Sequence, residues 1–97
     1  MNKEIFLVDI QETIKSALKK LELNNHGIIF IHENNKITGC ATDGDIRKVL
    51  LSDNDILTTI KKAINRDFVY LYEKNASREN ILKLLDSKIK VIPILSK

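Results

Sequence analysis

No tryptophan, one proline, three glycines and a single cysteine occur among the 97 residues. The lone Cys40 excludes a disulfide framework within the chain and any cysteine-built metal centre. So little glycine and proline leaves no material for elaborate loops, so the chain is built from helices, strands and short turns. Long apolar runs are missing too. The first, Ile5 to Val8, is interrupted by Asp9 and is too short for a signal-peptide core or a membrane span, which makes a reducing cytoplasmic setting the expectation. Charge of one sign does not cluster either. Sixteen Lys and Arg are interleaved with thirteen Asp and Glu for a net charge of +3. Recognition of a nucleic-acid backbone needs a concentrated basic face, often with stacking aromatics, and neither is present.

What remains is 43% hydrophobic and 30% charged, the composition of one ordinary globular domain with a limited core. The stretch Lys36–Leu51, KITGCATDGDIRKVLL, carries the most chemistry. Ile37 to Thr42 reads as a strand, Asp43-Gly44-Asp45 breaks it, and Ile46, Val49 and Leu50 at helical spacing begin a helix. A Thr-x-Gly-Asp turn between strand and helix gathers a hydroxyl, a carboxylate and backbone N–H groups at a helix N-terminus, where anions are favoured. Thr42 would then hold a phosphate oxygen and Asp45 a ribose hydroxyl pair. The competing reading is purely structural: Thr42-x-x-Asp45 is close to a capping box and caps its own helix.

The rest of the chain falls into order around this stretch. Ile5 to Val8 reads as a strand. Thr13 opens a helix with Ile14, Ala17, Leu18 and Leu21 as its apolar stripe, ended by Asn24-Asn25-His26-Gly27. Ile28 to Ile31 is a buried strand and Glu33-Asn34-Asn35-Lys36 a hairpin turn, so the first unit is β-α-β-β-α. A connector with a helical pattern (Ile56, Ile60, Ala63, Ile64) precedes a strand at Phe68 to Tyr72. Ser77 caps a helix with Ile81, Leu82, Leu84 and Leu85 on its apolar side, and Lys90 to Leu95 is the last strand.

A shift of 64 residues superposes the second half on the first without a gap. Ile5-Phe6-Leu7-Val8 falls on Val69-Tyr70-Leu71-Tyr72, Thr13 on Ser77, Ala17-Leu18 on Ile81-Leu82, Leu21 on Leu85, and Ile28–Ile31 on Ile92–Leu95. A fixed-period match across strand, cap, helix and strand predicts a structural repeat. Residues matching Asn34 to Leu51 would lie beyond Lys97, so the chain reads as a fragment of a longer protein.

A β-α-β-β-α unit of this period, ending in Gly39-x-x-Thr42-x-x-Asp45, resembles a CBS domain, and two of them resemble a Bateman module. Lys90-Val91-Ile92-Pro93-Ile94-Leu95 is similar to the family's second strand. His26-Gly27-Ile28-Ile29-Phe30 lacks the corresponding proline. The resemblance implies an α/β fold of tandem repeats packed as a pair, with repeat 1 at 1–55, a helical connector at 56–67 and a partial repeat 2 at 68–97. It implies an adenosine-containing ligand (AMP, ADP, ATP or S-adenosylmethionine) at Thr42, Gly44, Asp45, Val91 and Ile92, with Glu73 to Ser77 nearby. The wording Thr42-Asp43-Gly44-Asp45-Ile46-Arg47 looks most like the pairs attached to sugar-phosphate nucleotidyltransferases and arabinose-5-phosphate isomerases. Met1 standing almost at the first strand favours the former, with the module regulating a catalytic part that follows. Many such pairs bind no nucleotide and instead dimerise through their helices, which is the rival expectation.

Other chemistry is weakly represented. Asp43-x-Asp45 lacks a third carboxylate to complete a divalent metal site. Asp53-Asn54-Asp55 opens like an EF-hand, but Thr58 and Ile64 stand where glycine and glutamate are required. His26 and His32 read as capping or surface residues with no nucleophile beside them, Cys40 as a small buried side chain, and Arg47 as the i, i+4 partner of Asp43. Nothing points to catalysis by this chain.

Overall fold

Three side-chain hydroxyls fix where the helices begin. Thr13 Oγ1 accepts from the Ser16 N–H at 3.2 Å and starts α1, Ile14–Asn24. Thr42 Oγ1 accepts from the Asp45 N–H at 3.1 Å and starts α2, Asp43–Asp53. Ser77 Oγ accepts from the Asn80 N–H at 3.1 Å and starts α3, Arg78–Leu84. Each bond satisfies one of the orphan donors of a first turn. Asparagines close the longer helices: Asn25 and Asn54 take left-handed φ values of 55° and 54°, and return their N–H groups to Leu21 and Leu50. This computed structural model describes residues 3–86, 89 and 91–96. They form two units, Met1–Arg66 and Asp67–Lys97.

In unit 1, β1 (Leu7–Asp9) runs parallel to β2 (Ile28–Glu33), and β2 runs antiparallel to β3 (Lys36–Thr42). Asn34 and Asn35, with φ of 50° and 66°, make the two-residue turn between β2 and β3, the geometry whose twist suits a hairpin. One face of this sheet meets α1 and α2 around Val8, Ile14, Ala17, Ile29, Ile31, Ala41 and Ile46, all buried. Each such Ile or Val contributes roughly 1.5–3 kcal/mol by leaving water.

The segment after α2 is not a helix. Within 56–67 the one regular element is a 3₁₀ turn, Ile60–Ala63, whose Ile60 and Ala63 join the core. The carbonyls of Ile56 and Thr58 are committed elsewhere, each accepting at 2.8 Å from the N–H groups of Lys15 and Ile14 at the start of α1. Beyond the turn, Asn65 forms a two-bond antiparallel bridge with Cys40 on the outer edge of β3 (2.9 and 2.7 Å).

Several expected boundaries shift for identifiable reasons. The strand expected at Ile5–Val8 begins only at Leu7, because Lys3–Phe6 closes into a 3₁₀ turn. Its Glu4 and Ile5 carbonyls accept from the α1 side chains Lys20 Nζ and Asn24 Nδ2 instead of entering a ladder. Leu18, expected in the apolar stripe, is exposed, and Asn24 takes a buried place instead, bonded to the Ile5 and Ile28 carbonyls.

Unit 2 is a shorter version of the same plan. Its β4 (Leu71–Tyr72) pairs parallel with β5 (Ile94–Leu95), Leu71 with Ile94 and Tyr72 with Leu95. Each pair is offset by 64 from Leu7–Phe30 and Val8–Ile31 of unit 1. The turn bond from the Glu12 N–H to the Asp9 carbonyl recurs from Ala76 to Glu73, and the first α1 bond, Ala17 to Thr13, recurs from Ile81 to Ser77. Both strands are shorter than expected from Phe68–Tyr72 and Lys90–Leu95. Pro93 has no N–H to extend the ladder, and offers only its carbonyl to the Leu71 N–H at 3.1 Å. Lys90 lies outside the described residues. No residue of α3 is buried; Leu82 is exposed, and Leu85 lies past the helix end as its C-cap.

Candidate functional site

The strand-to-helix corner at Thr42 is a complete capping box. Thr42 Oγ1 accepts from the Asp45 N–H, and Asp45 Oδ2 accepts from the Thr42 N–H at 2.9 Å. The remaining donors of this first turn are also occupied. The Asp43 N–H reaches the Gly27 carbonyl at 3.2 Å, and the Gly44 N–H reaches Asp43 Oδ1 at 2.9 Å. The backbone N–H groups expected to stand free for an anion are therefore internally satisfied.

The box does not exhaust its two side chains. A hydroxyl has one donor and two acceptor sites, and a carboxylate has about four acceptor sites on two oxygens. Capping consumes one acceptor on Thr42 and uses Oδ2 of Asp45. The Thr42 O–H hydrogen and Asp45 Oδ1 remain without partners among the described residues, both side chains half-buried at one corner. A hydroxyl donor beside a carboxylate acceptor suits a ligand with an anionic oxygen next to a hydroxyl. Gly44 keeps the corner open: a Cβ there would lie 3.6 Å from Thr42 Oγ1.

Cys40, two residues before Thr42 on β3, is buried as expected. Burial first, and then the charge of Asp45, push its thiol up to about 11, so it is neutral and unreactive near neutral pH. Arg47 does not pair with Asp43. Among the described residues it forms no ion pair, because the Asp43 carboxylate turns back to its own helix start to accept from Gly44. Of the histidines, His32 sits 3.5 Å from Asp9 across β1 and β2, and His26 hydrogen-bonds Asn24 while its ring rests on Phe6. Val91 and Ile92 belong to unit 2, half-buried, between α3 and β5 and outside the strand itself.

A second cluster, around Gly39 and Glu33, leaves little mark in the residue patterns. Gly39 sits where Ile64 and Asn65 cross β3: a Cβ would lie 2.4 Å from Ile64 Cγ1 and 2.8 Å from the Asn65 carbonyl oxygen. Beside it, Glu33 accepts from Thr38 Oγ1 and from Arg66 Nη1, the latter at 2.8 Å. These two bonds, with the charge of Arg66, hold the Glu33 carboxyl below its ordinary value. A glycine inside a strand is the signal that could have found this cluster, since it marks close backbone approach.

A family model for the CBS domain matches residues 1–52. Solved structures of similar fold include Staphylococcus aureus OpuCA, at 12% identity over 95% of this chain and 76% of that one, with a TM-score of 0.76. A CBS domain pair/ACT domain protein from Thermotoga maritima matches at 14% identity over 99% and 76%, with a TM-score of 0.75. A Methanocaldococcus jannaschii protein proposed as an archaeal homolog of g-AMPK matches at 21% identity over 100% and 41%, with a TM-score of 0.74. No curated protein matches the sequence. At these identities the structural likeness speaks for the fold. No helix among the described residues is long and apolar enough to cross a membrane.

Proposed function

The chain belongs to the CBS domain family, and we propose that it is a regulatory module sensing an adenosine-containing ligand. The observation that carries this reading is the pair of groups the capping box leaves over, the Thr42 O–H and Asp45 Oδ1. The hydroxyl donates to a phosphate oxygen and the carboxylate accepts from the ribose hydroxyls. Gly44 admits the ligand's close approach, and the resemblance to the family adds Val91 and Ile92 as expected ligand contacts. Family members commonly bind AMP, ADP, ATP or S-adenosylmethionine, which makes these the ligands to test. A ligand with different affinity for two states of the module shifts their populations, and an attached domain feels that shift. The wording Thr42-Asp43-Gly44-Asp45-Ile46-Arg47 supports attachment to a cytoplasmic sugar-phosphate nucleotidyltransferase, with catalysis residing outside these residues.

A second reading, a dimerisation scaffold without ligand, draws support from the helix surfaces. Leu18 and Leu23 on α1 and Leu51 on α2 are exposed, apolar area of the kind that helix pairing buries. A thermal-shift titration with the four ligands separates the two. Ligand at a hundred times its dissociation constant stabilises by about 2.7 kcal/mol, a rise on the order of 10 °C for a domain this small. Asp45→Ala is expected to lower the starting Tm modestly and to abolish the ligand-induced rise. A folded dimer that shifts with none of the four ligands would leave the corner as a helix cap and the module as a scaffold.

A further inference from the structure

Of the seven aspartates in the chain, only Asp43 is followed by glycine. The pair opens α2, with Asp43 exposed and its carboxylate turned back along its own backbone. Asp43 Oδ1 accepts from the Gly44 N–H at 2.9 Å, so this side chain touches the amide of the very next residue. Asp9 and Asp55 accept instead from amides two residues on, those of Gln11 and Leu57. As a first-turn donor, the Gly44 N–H has no carbonyl to bond within the helix, and its loss would break no ladder bond. Gly44 also leaves its own nitrogen uncrowded. It carries no side chain, and an added Cβ would have Thr42 Oγ1 as its nearest neighbour at an ordinary 3.6 Å.

We propose that Asp43–Gly44 is a site of spontaneous isoaspartate formation, a modification that dismantles the helix start it occupies. Gly44 N forms a bond to Asp43 Cγ, and Oδ1 leaves as water with the amide proton and one proton from solvent. The hydrogen bond already aims that amide proton at Oδ1. Ring closure also requires rotation about the Asp43 Cα–C bond, which the following glycine permits. The product is a five-membered imide, and water adds back to either of its carbonyls. Breaking the new Cγ–N bond restores aspartate. Breaking the original peptide C–N bond leaves the chain running through Cβ and Cγ, one carbon longer. That insertion falls between Thr42 and Asp45. The two capping bonds, 3.1 Å from the Asp45 N–H to Thr42 Oγ1 and 2.9 Å from the Thr42 N–H to Asp45 Oδ2, cannot both survive it.

Incubating the intact folded chain at 37 °C, then digesting it and separating the peptides, tests this. Isoaspartate leaves the mass unchanged, shifts the retention of the Asp43 peptide and makes it a methyl acceptor for an isoaspartate methyltransferase. Imide formation at asparagine raises the mass, so those peptides are told apart in the same run. The Asp43 peptide is expected to carry most of the isoaspartate formed at aspartate. Asp43→Glu keeps the charge but cannot close a five-membered ring, and is expected to eliminate the signal. Gly44→Ala is expected to slow it several-fold. In the aged chain, hydrogen exchange at the Asp45 amide should rise several-fold, and in aged Asp43→Glu it should stay as it began. Isoaspartate that forms at Asp43 no faster than at the other aspartates, or only in urea, would overturn the proposal. So would an aged, modified chain whose Asp45 amide exchanges as before.

Discussion

Replacing Gly39 by alanine adds one methyl group, and the surroundings determine what it costs. The new Cβ would stand 2.4 and 2.7 Å from Ile64 Cγ1 and Cδ1, and 2.8 Å from the Asn65 carbonyl oxygen. Ile64 can rotate away only by leaving the core it packs against, and the carbonyl can retreat only by breaking the bridge to Cys40. Overpacking of this kind costs about 1–3 kcal/mol. Losing two backbone hydrogen bonds adds about 2 kcal/mol, offset by roughly 0.5–1 kcal/mol because alanine suits a strand better than glycine. The net expectation is a loss of about 2–4 kcal/mol. With a urea m-value of roughly 1.5 kcal/mol/M, the midpoint by far-UV circular dichroism falls by about 2 M. Gly44→Ala is the matched control. Its nearest neighbour would be Thr42 Oγ1 at an ordinary 3.6 Å, and alanine favours the first turn of α2, so this variant is neutral or stabilised by a few tenths of a kcal/mol. Adding Ile64→Ala to Gly39→Ala relieves part of the clash, so the double variant loses less than the two single losses together. A Gly39→Ala chain within 0.5 kcal/mol of the parent would refute the close-approach argument.

Further outcomes follow from two groups on the same strand, Thr42 and Cys40. Thr42→Ala removes the hydroxyl that caps α2 and is expected to cost about 1 kcal/mol in urea unfolding; no loss would mean that the box of Thr42 and Asp45 does not hold the helix start. Cys40 has a folded-state thiol raised from 9.0 to about 11 by burial and by Asp45. Its contribution is fully present below about pH 9 and is lost as pH rises toward 11, because the unfolded thiol gives up its proton first. The stability difference between the parent and Cys40→Ala should therefore narrow across that window and stay flat from pH 6 to 8. In the folded chain at pH 8, iodoacetamide should label Cys40 far more slowly than in urea.

The repeat was legible because its markers are local. A capping hydroxyl, an apolar helix face and a run of branched residues recur at one offset in the sequence, and the strand pairing and turn bonds recur at the same offset in the fold. Helix starts at Thr13, Thr42 and Ser77 were equally plain, since a hydroxyl before a helical pattern has one obvious acceptor role. Strand ends were not. Whether Ile5 joins a strand depends on Asn24, nineteen residues away, taking its carbonyl. The Asp43–Arg47 spacing suggested an ion pair, but a nearer backbone N–H won the carboxylate. At the candidate site, the residues of the corner could be named from Thr42-x-x-Asp45, while the satisfaction of its backbone donors could not. The bridge of Asn65 to β3 and the ion pair of Arg66 with Glu33 at the end of β2 left no periodic trace at all, apart from the glycine the segment crosses.

Pro93 has a consequence beyond the length of β5. Its carbonyl accepts from the Leu71 N–H at 3.1 Å, while its ring nitrogen has no hydrogen to give, so the backbone at this position pairs on its acceptor side alone. A slip of β5 by one residue would also turn its side chains to the opposite face. The proline therefore helps to fix the alignment of Leu71 with Ile94 and of Tyr72 with Leu95.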